Sequence, residues 1–95
     1  MYNLSRFTAV NGIPDREEVE TWAENYFHNL LTLLNAFFSQ VEIDDALDRM
    51  RKIPFAQLVV EELENESEEV KKIAVDKVME LVEIEIRYME AYAGR

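Results

Sequence analysis

His28 is the only imidazole in the chain, and two carboxylates precede it at helical spacing. Glu20, Glu24 and His28 stand at i, i+4 and i+8, so a helix through them offers three metal ligands on one face. Di-iron bundles require more, because each of two helices supplies a Glu-x-x-His pair, and no such pair occurs here. The pattern points instead to a solvent-facing or interface histidine hydrogen-bonded by Glu24. Glu85 is a second group able to do chemistry, as an acid or as a metal ligand. Its neighbours at helical steps, Leu81, Val82, Tyr88 and Met89, are all apolar. A carboxylate in that setting needs a proton, a cation or a place at the edge of the bundle. Arg49, Arg51 and Arg87 are the cations on offer, and an ion pair or an exposed edge is the expectation.

Glu61, Glu62, Glu64, Glu66, Glu68 and Glu69 put six carboxylates into nine residues, with no basic residue before Lys71. Such a run solvates a helix junction, and Glu68 and Glu69 suit a helix N-terminus. The same charges would also imitate phosphates and fill the basic groove of a nucleic-acid-binding protein, as DNA mimics and acidic immunity proteins do. Glu17-x-x-Glu20 and Glu42-x-x-Asp45 resemble the paired acidic motifs of all-α nucleotide pyrophosphohydrolases of the MazG type. That resemblance implies Mg²⁺ held between facing helices. Here the first pair opens a helix of about 38 Å and the second lies beyond its end. Within one chain the two do not share a metal, and an antiparallel dimer would be needed. Arg87-Tyr88-Met89-Glu90-Ala91-Tyr92 resembles the terminal helix of small phage anti-sigma proteins of the AsiA type, which act by clamping a larger machine. No Ser-His-Asp set, glycine-rich phosphate loop or zinc spacing stands in the sequence. The expectation is no enzyme, no cofactor and no metal.

Punctuation and period give the elements that carry these residues. Asn11-Gly12 is a turn signal within residues 1–14, where Tyr2, Leu4, Phe7, Val10 and Ile13 fit neither the helical nor the strand period. An extended arm or short strand laid over the helices is expected there. Pro14 restricts the chain, Asp15 caps a helix, and Glu18 is the reciprocal member of a capping box. Apolar residues from Val19 to Val41 recur at helical steps, giving a first long helix over about 15–40. A short helix over about 44–52 turns Ala46, Leu47 and Met50 inward and breaks at Ile53-Pro54. Another, over about 54–64, carries Phe55, Leu58, Val59 and Leu63 on one face. Asn65-Glu66-Ser67 caps a second long helix over about 68–93, which Gly94 ends. The expected fold is all-α. One domain spans 1–95, an arm (1–14) followed by a helical bundle (15–95) whose two long helices enclose the two short ones.

Composition agrees. Ninety-five residues, 48% of them hydrophobic, suffice for one core, and two glycines with two prolines are too few turns for an all-β fold. Twenty acidic against ten basic residues give a net charge of −10, which repels nucleic-acid backbones and anionic membranes. The chain has no cysteine, which removes disulfides and thiolate chemistry and fits a reducing compartment. Met1 to Arg6 has neither the basic nor the apolar region of a signal peptide. The most apolar stretch, Phe27 to Phe38, is interrupted by His28, Asn29, Thr32 and Asn35, and falls short of the ~20 residues a bilayer span needs. A soluble cytoplasmic protein is expected.

The functional expectation rests on one gap in the charge pattern. Between Glu24 and Glu42 no residue is charged, although 32% of the chain is. Even the polar stripe there, Asn25, His28, Thr32, Asn35 and Ser39, is neutral. Burying such a helix on all sides takes more neighbours than one long and two short helices provide. A second copy is therefore expected over Tyr26, Phe27, Leu30, Leu31, Leu34, Phe37 and Phe38. On the second long helix, Val75, Met79, Val82, Ile86, Met89 and Ala93 form a heptad-like stripe beside Ala74, Val78, Leu81, Tyr88 and Tyr92. A face that wide reads as intramolecular core. The expected function is a non-enzymatic regulator, inhibitor or adaptor, homodimeric, whose acidic exterior steers it to a larger basic protein. A phosphate-mimicking inhibitor is the alternative, and a Mg²⁺-dependent pyrophosphohydrolase the third reading.

Overall fold

The computed structural model describes residues 5–94. Its elements are β1 (Ala9–Val10), β2 (Ile13–Pro14), α1 (Arg16–Phe38), α2 (Ile43–Lys52), α3 (Phe55–Glu62) and α4 (Glu68–Gly94). The fold is a small all-α bundle with two long helices, and each helix boundary falls within two residues of the position read from the sequence. Tyr2 and Leu4 of the expected arm lie outside the described residues.

The arm turns back on itself. Asn11 and Gly12 take φ of 54° and 80°, the two positive values of a type I′ turn, and they pair Val10 with Ile13 in a minimal hairpin. Val10 and Ile13 point to solvent, whereas Phe7 enters the core. Asp15 caps α1 by accepting from the backbone N–H groups of Glu17 and Glu18, at 3.1 and 3.4 Å. The reciprocal half of the capping box does not form. The Asp15 N–H donates to the Thr8 carbonyl at 3.0 Å, so Glu18 instead accepts from the Thr8 N–H at 2.8 Å. A capping residue thereby becomes a tie between arm and helix.

Further along, Ile53 has φ −73° and ψ 126°, the extended conformation forced on a residue before proline, and it separates α2 from α3. The Ser67 hydroxyl accepts from the Val70 N–H at 3.2 Å and starts α4. The acidic first turn and basic last turn of α2 both suit the helix dipole.

The core lies toward one end. Val19, Ala23, Val59, Leu63, Ala74 and Val78 are fully buried and join the first half of α1 to α3 and the first half of α4. Phe27 meets Phe55 edge-on, with 5.9 Å between ring centres. Each fully buried Val or Leu stabilises by about 1.5–3 kcal/mol relative to exposure, so the stabilisation is concentrated here. Along the other half, Leu30, Leu31, Leu34, Phe38, Leu81, Ile86 and Met89 are only partly buried. The ten residues of α2 and the eight of α3 reach about 15 and 12 Å. They do not cover both flanks of the 27-residue α4. The result is an elongated body of 52 × 20 × 17 Å.

Candidate protein-interaction face

α1 and α4 lie side by side and parallel. Glu24 near the start of α1 pairs with Lys77 at 3.5 Å, while Phe38 at its end shares a groove with Tyr88 and Tyr92 of α4. Where no short helix covers the seam, two grooves follow it. One, of about 490 Å³, is bordered by His28 and Leu31 of α1 and by Leu81, Ile84 and Glu85 of α4. The other, of about 610 Å³, is bordered by Asn35 and Phe38 of α1 and its capping residue Ser39, by Ile43 and Ala46 of α2, and by Glu85, Tyr88, Met89 and Tyr92 of α4. Glu85 borders both, so they form one trough; of its two carboxylates, Glu24 at one end is paired with Lys77 and Glu85 stands at the middle. Open along its length and walled by apolar side chains, the trough suits an elongated partner better than an enclosed small molecule.

The seven residues expected at the interface do not share one surface. Phe27 belongs to the core, held there by its contact with Phe55. Tyr26 stacks on Trp22 with 5.0 Å between ring centres. Burial raises its phenol above the ordinary value, and the nearby carboxylates of Glu62 and Glu61 add to the rise. Leu30, Leu31, Leu34 and Phe38 are partly covered by their own chain. Phe37 stays open at 52% exposure, with the Arg49 guanidinium 5.5 Å from its ring centre.

Other open apolar residues were not foreseen. Leu33, one turn before Phe37, is 69% exposed. Ile84, Tyr88 and Tyr92 make an exposed stripe at i, i+4 and i+8 on α4. The excess width of the α4 apolar face was the signal for it. Leu33 and Phe37 sit two residues, about 200° of helix, from the trough residues Asn35 and Ser39. α1 therefore carries two distinct apolar flanks.

The acidic run is divided as well. Glu66 leaves the acidic surface, its side chain only 3% exposed. It accepts from the Ser5 hydroxyl at 2.6 Å and from the Arg6 N–H at 3.0 Å, because the arm's donors need an acceptor at the α3–α4 junction. Arg6 also reaches Glu62 at 3.8 Å and lies 5.7 Å from the Trp22 ring centre, against which Phe7 packs edge-on at 6.1 Å. Glu68 pairs with Lys71 at 3.4 Å. Of the six carboxylates, Glu61, Glu64 and Glu69 stay on the surface without an ion pair among the described residues.

The expected hydrogen bond between Glu24 and His28 does not form, since Glu24 engages Lys77 and Glu20 engages Arg16 at 3.2 Å. Glu85, partly buried, does not receive the arginine expected for it. Arg49 lies over Phe37, Arg51 pairs with Glu90, and Arg87 pairs with Glu83 at 2.8 Å. Glu17 and Glu20 stand at one end of α1 and Glu42 and Asp45 beyond the other, separated by a helix of roughly 34 Å. Among the described residues no three His, Asp or Glu side chains gather into a group that could hold a metal, and no helix is long and apolar enough to cross a membrane. No protein-family profile, curated protein or solved structure matches the chain.

Proposed function

We propose that this chain is a non-enzymatic protein-interaction module of the cytoplasm, a regulator, inhibitor or adaptor that pairs with a second copy of itself through the uncharged outer flank of α1. The observation that carries the reading is the exposure of Leu33 and Phe37, one turn apart, on a helix with no charge between Glu24 and Glu42. The partly buried Leu30 and Leu34 continue the same apolar ground. Covering such surface stabilises by about 25 cal/mol per Å², and the α1 residues between Glu24 and Glu42 bring no like charges of their own to the pairing. The net charge of −10 gives long-range attraction to a basic partner. Phosphate mimicry ranks second, because Glu62, Glu66 and Glu68 are already engaged by Arg6, Ser5 and Lys71. A Mg²⁺ enzyme ranks third, because its two acidic pairs stand at opposite ends of α1.

Light scattering across the micromolar range tests the reading. Twice the chain mass is expected for the native protein and the single-chain mass for the double variant Leu33→Gln, Phe37→Gln. Both side chains are exposed, so helix content should persist in the variant. A native protein that stays at the single-chain mass throughout refutes self-association.

A further inference from the structure

The geometry points to a second docking surface. We propose that the trough between α1 and α4 receives a basic amphipathic helix of another protein, with a lysine or arginine of that helix paired to Glu85. The site names the partner within the interaction reading and rests on that reading, but it is independent of the Leu33–Phe37 flank. From Leu81 to Tyr92 the α4 wall runs about 17 Å, three turns of a docked helix. Ile84, Tyr88 and Tyr92 are open to water along it, spaced to meet apolar anchors at i, i+4 and i+7 or i+8 of the occupant.

Glu85 decides the occupant. It is partly buried, borders both grooves and has no hydrogen bond or ion pair among the described residues. A neutral helix laid over it would trap an uncompensated carboxylate, which is costly. A second copy fits no better. Among the described residues, Arg6, Arg16, Arg51, Lys52, Lys71, Lys72, Lys77 and Arg87 already face carboxylates of their own chain, and Arg49 lies over Phe37. Two facing troughs would also bring together two Glu85 side chains on chains of net charge −10. A cationic helix resolves both problems, and the field of the whole molecule draws it in.

A displayed library of helical peptides, selected against the native protein, tests the assignment. Enriched peptides should carry apolar residues at helical spacing around a lysine or arginine. Their affinity should fall tenfold or more in Glu85→Gln and in Tyr88→Ala, with circular dichroism unchanged. Glu85→Lys should prefer the same peptides with the cation changed to glutamate, and the Leu33→Gln, Phe37→Gln variant should bind as the native protein does. Failure to enrich any helical peptide, enrichment of peptides without a cation, or indifference to Glu85→Gln each overturns the proposal. Loss of the dimer in Glu85→Gln, with peptides and second copy competing, would seat a second copy in the trough and overturn it too. Peptide binding through Glu85 by a protein that stays monomeric would uphold the trough and refute self-pairing alone.

Discussion

Replacing Glu66 with alanine asks what holds the arm to the bundle. The carboxylate receives two hydrogen bonds from the arm, at 2.6 and 3.0 Å, and bonds to a charged acceptor contribute about 1.5–3 kcal/mol each. The Arg6 guanidinium adds little, since it stands 3.8 Å away and its side chain is 45% exposed, a setting in which ion pairs give about 0–1 kcal/mol. Part of the loss is recovered, because Ser5 and the Arg6 N–H rehydrate once the arm loosens. A net cost of about 2 kcal/mol follows, against a total stability of roughly 5–14 kcal/mol for a chain of this size. The melting temperature should fall by roughly 8–16 °C, read by circular dichroism. Trp22, the only tryptophan, contacts both Phe7 and Arg6 of the arm and reports arm release separately. In Glu66→Ala its emission should move to the red before the helices melt. A double-mutant cycle with Ser5→Ala should show coupling, since the two side chains share one bond. A melting temperature within about 2 °C of native, with Trp22 emission unchanged, would mean that Phe7 and the Thr8–Glu18 tie hold the arm without Glu66 and that the reasoning from its hydrogen bonds is wrong.

Gly12 has φ 80° with open space where a Cβ would stand, so Gly12→Ala meets only the backbone penalty of a left-handed conformation. A loss of about 1–2 kcal/mol is expected in urea unfolding, and Gly12→Asn should lose less. Because burial and the carboxylates of Glu62 and Glu61 raise the Tyr26 phenol, its contribution to stability is complete below the ordinary tyrosine value of about 10 and is lost as pH rises through the raised one. Tyr26→Phe should therefore lose less stability than the native protein between neutral pH and strong alkali, and equal losses in paired urea titrations would contradict the assignment.

Much of the fold was written in local chemistry. Asn11-Gly12, Asp15, Ile53-Pro54 and Ser67 each act through their own backbone, so each could be placed without knowing what lay nearby. Glu18 and Glu66 behave otherwise. In the sequence Glu66 is one of six similar carboxylates, and only the return of the arm over the α3–α4 junction makes it an interior acceptor. Glu18 has the right spacing for a capping box, but Thr8 takes the donor it would have met. The exposed stripe of Ile84, Tyr88 and Tyr92 was hidden for a related reason. Helical period shows that a face is apolar and not which part of it the neighbours are long enough to reach. Phe27 was misplaced by the same blindness, since its partner Phe55 stands on a helix that periodicity alone does not position.

The clasp between arm and Glu66 also has a consequence for biosynthesis. Ser5 and its acceptor are 61 residues apart, whereas most contacts within α1 and α4 are local. Contacts of such long separation tend to form late, and those formed after the transition state govern the rate of unfolding far more than the rate of folding. On the ribosome, at about 5–20 residues per second, roughly 3–12 s separate the synthesis of Ser5 from that of Glu66. For that interval Phe7 lacks the α3–α4 junction and Val70 of α4 beside which it comes to lie, and the nascent arm is a ready substrate for a chaperone. Once closed, the clasp sets how long the native state lasts, while the helices set how quickly it is reached.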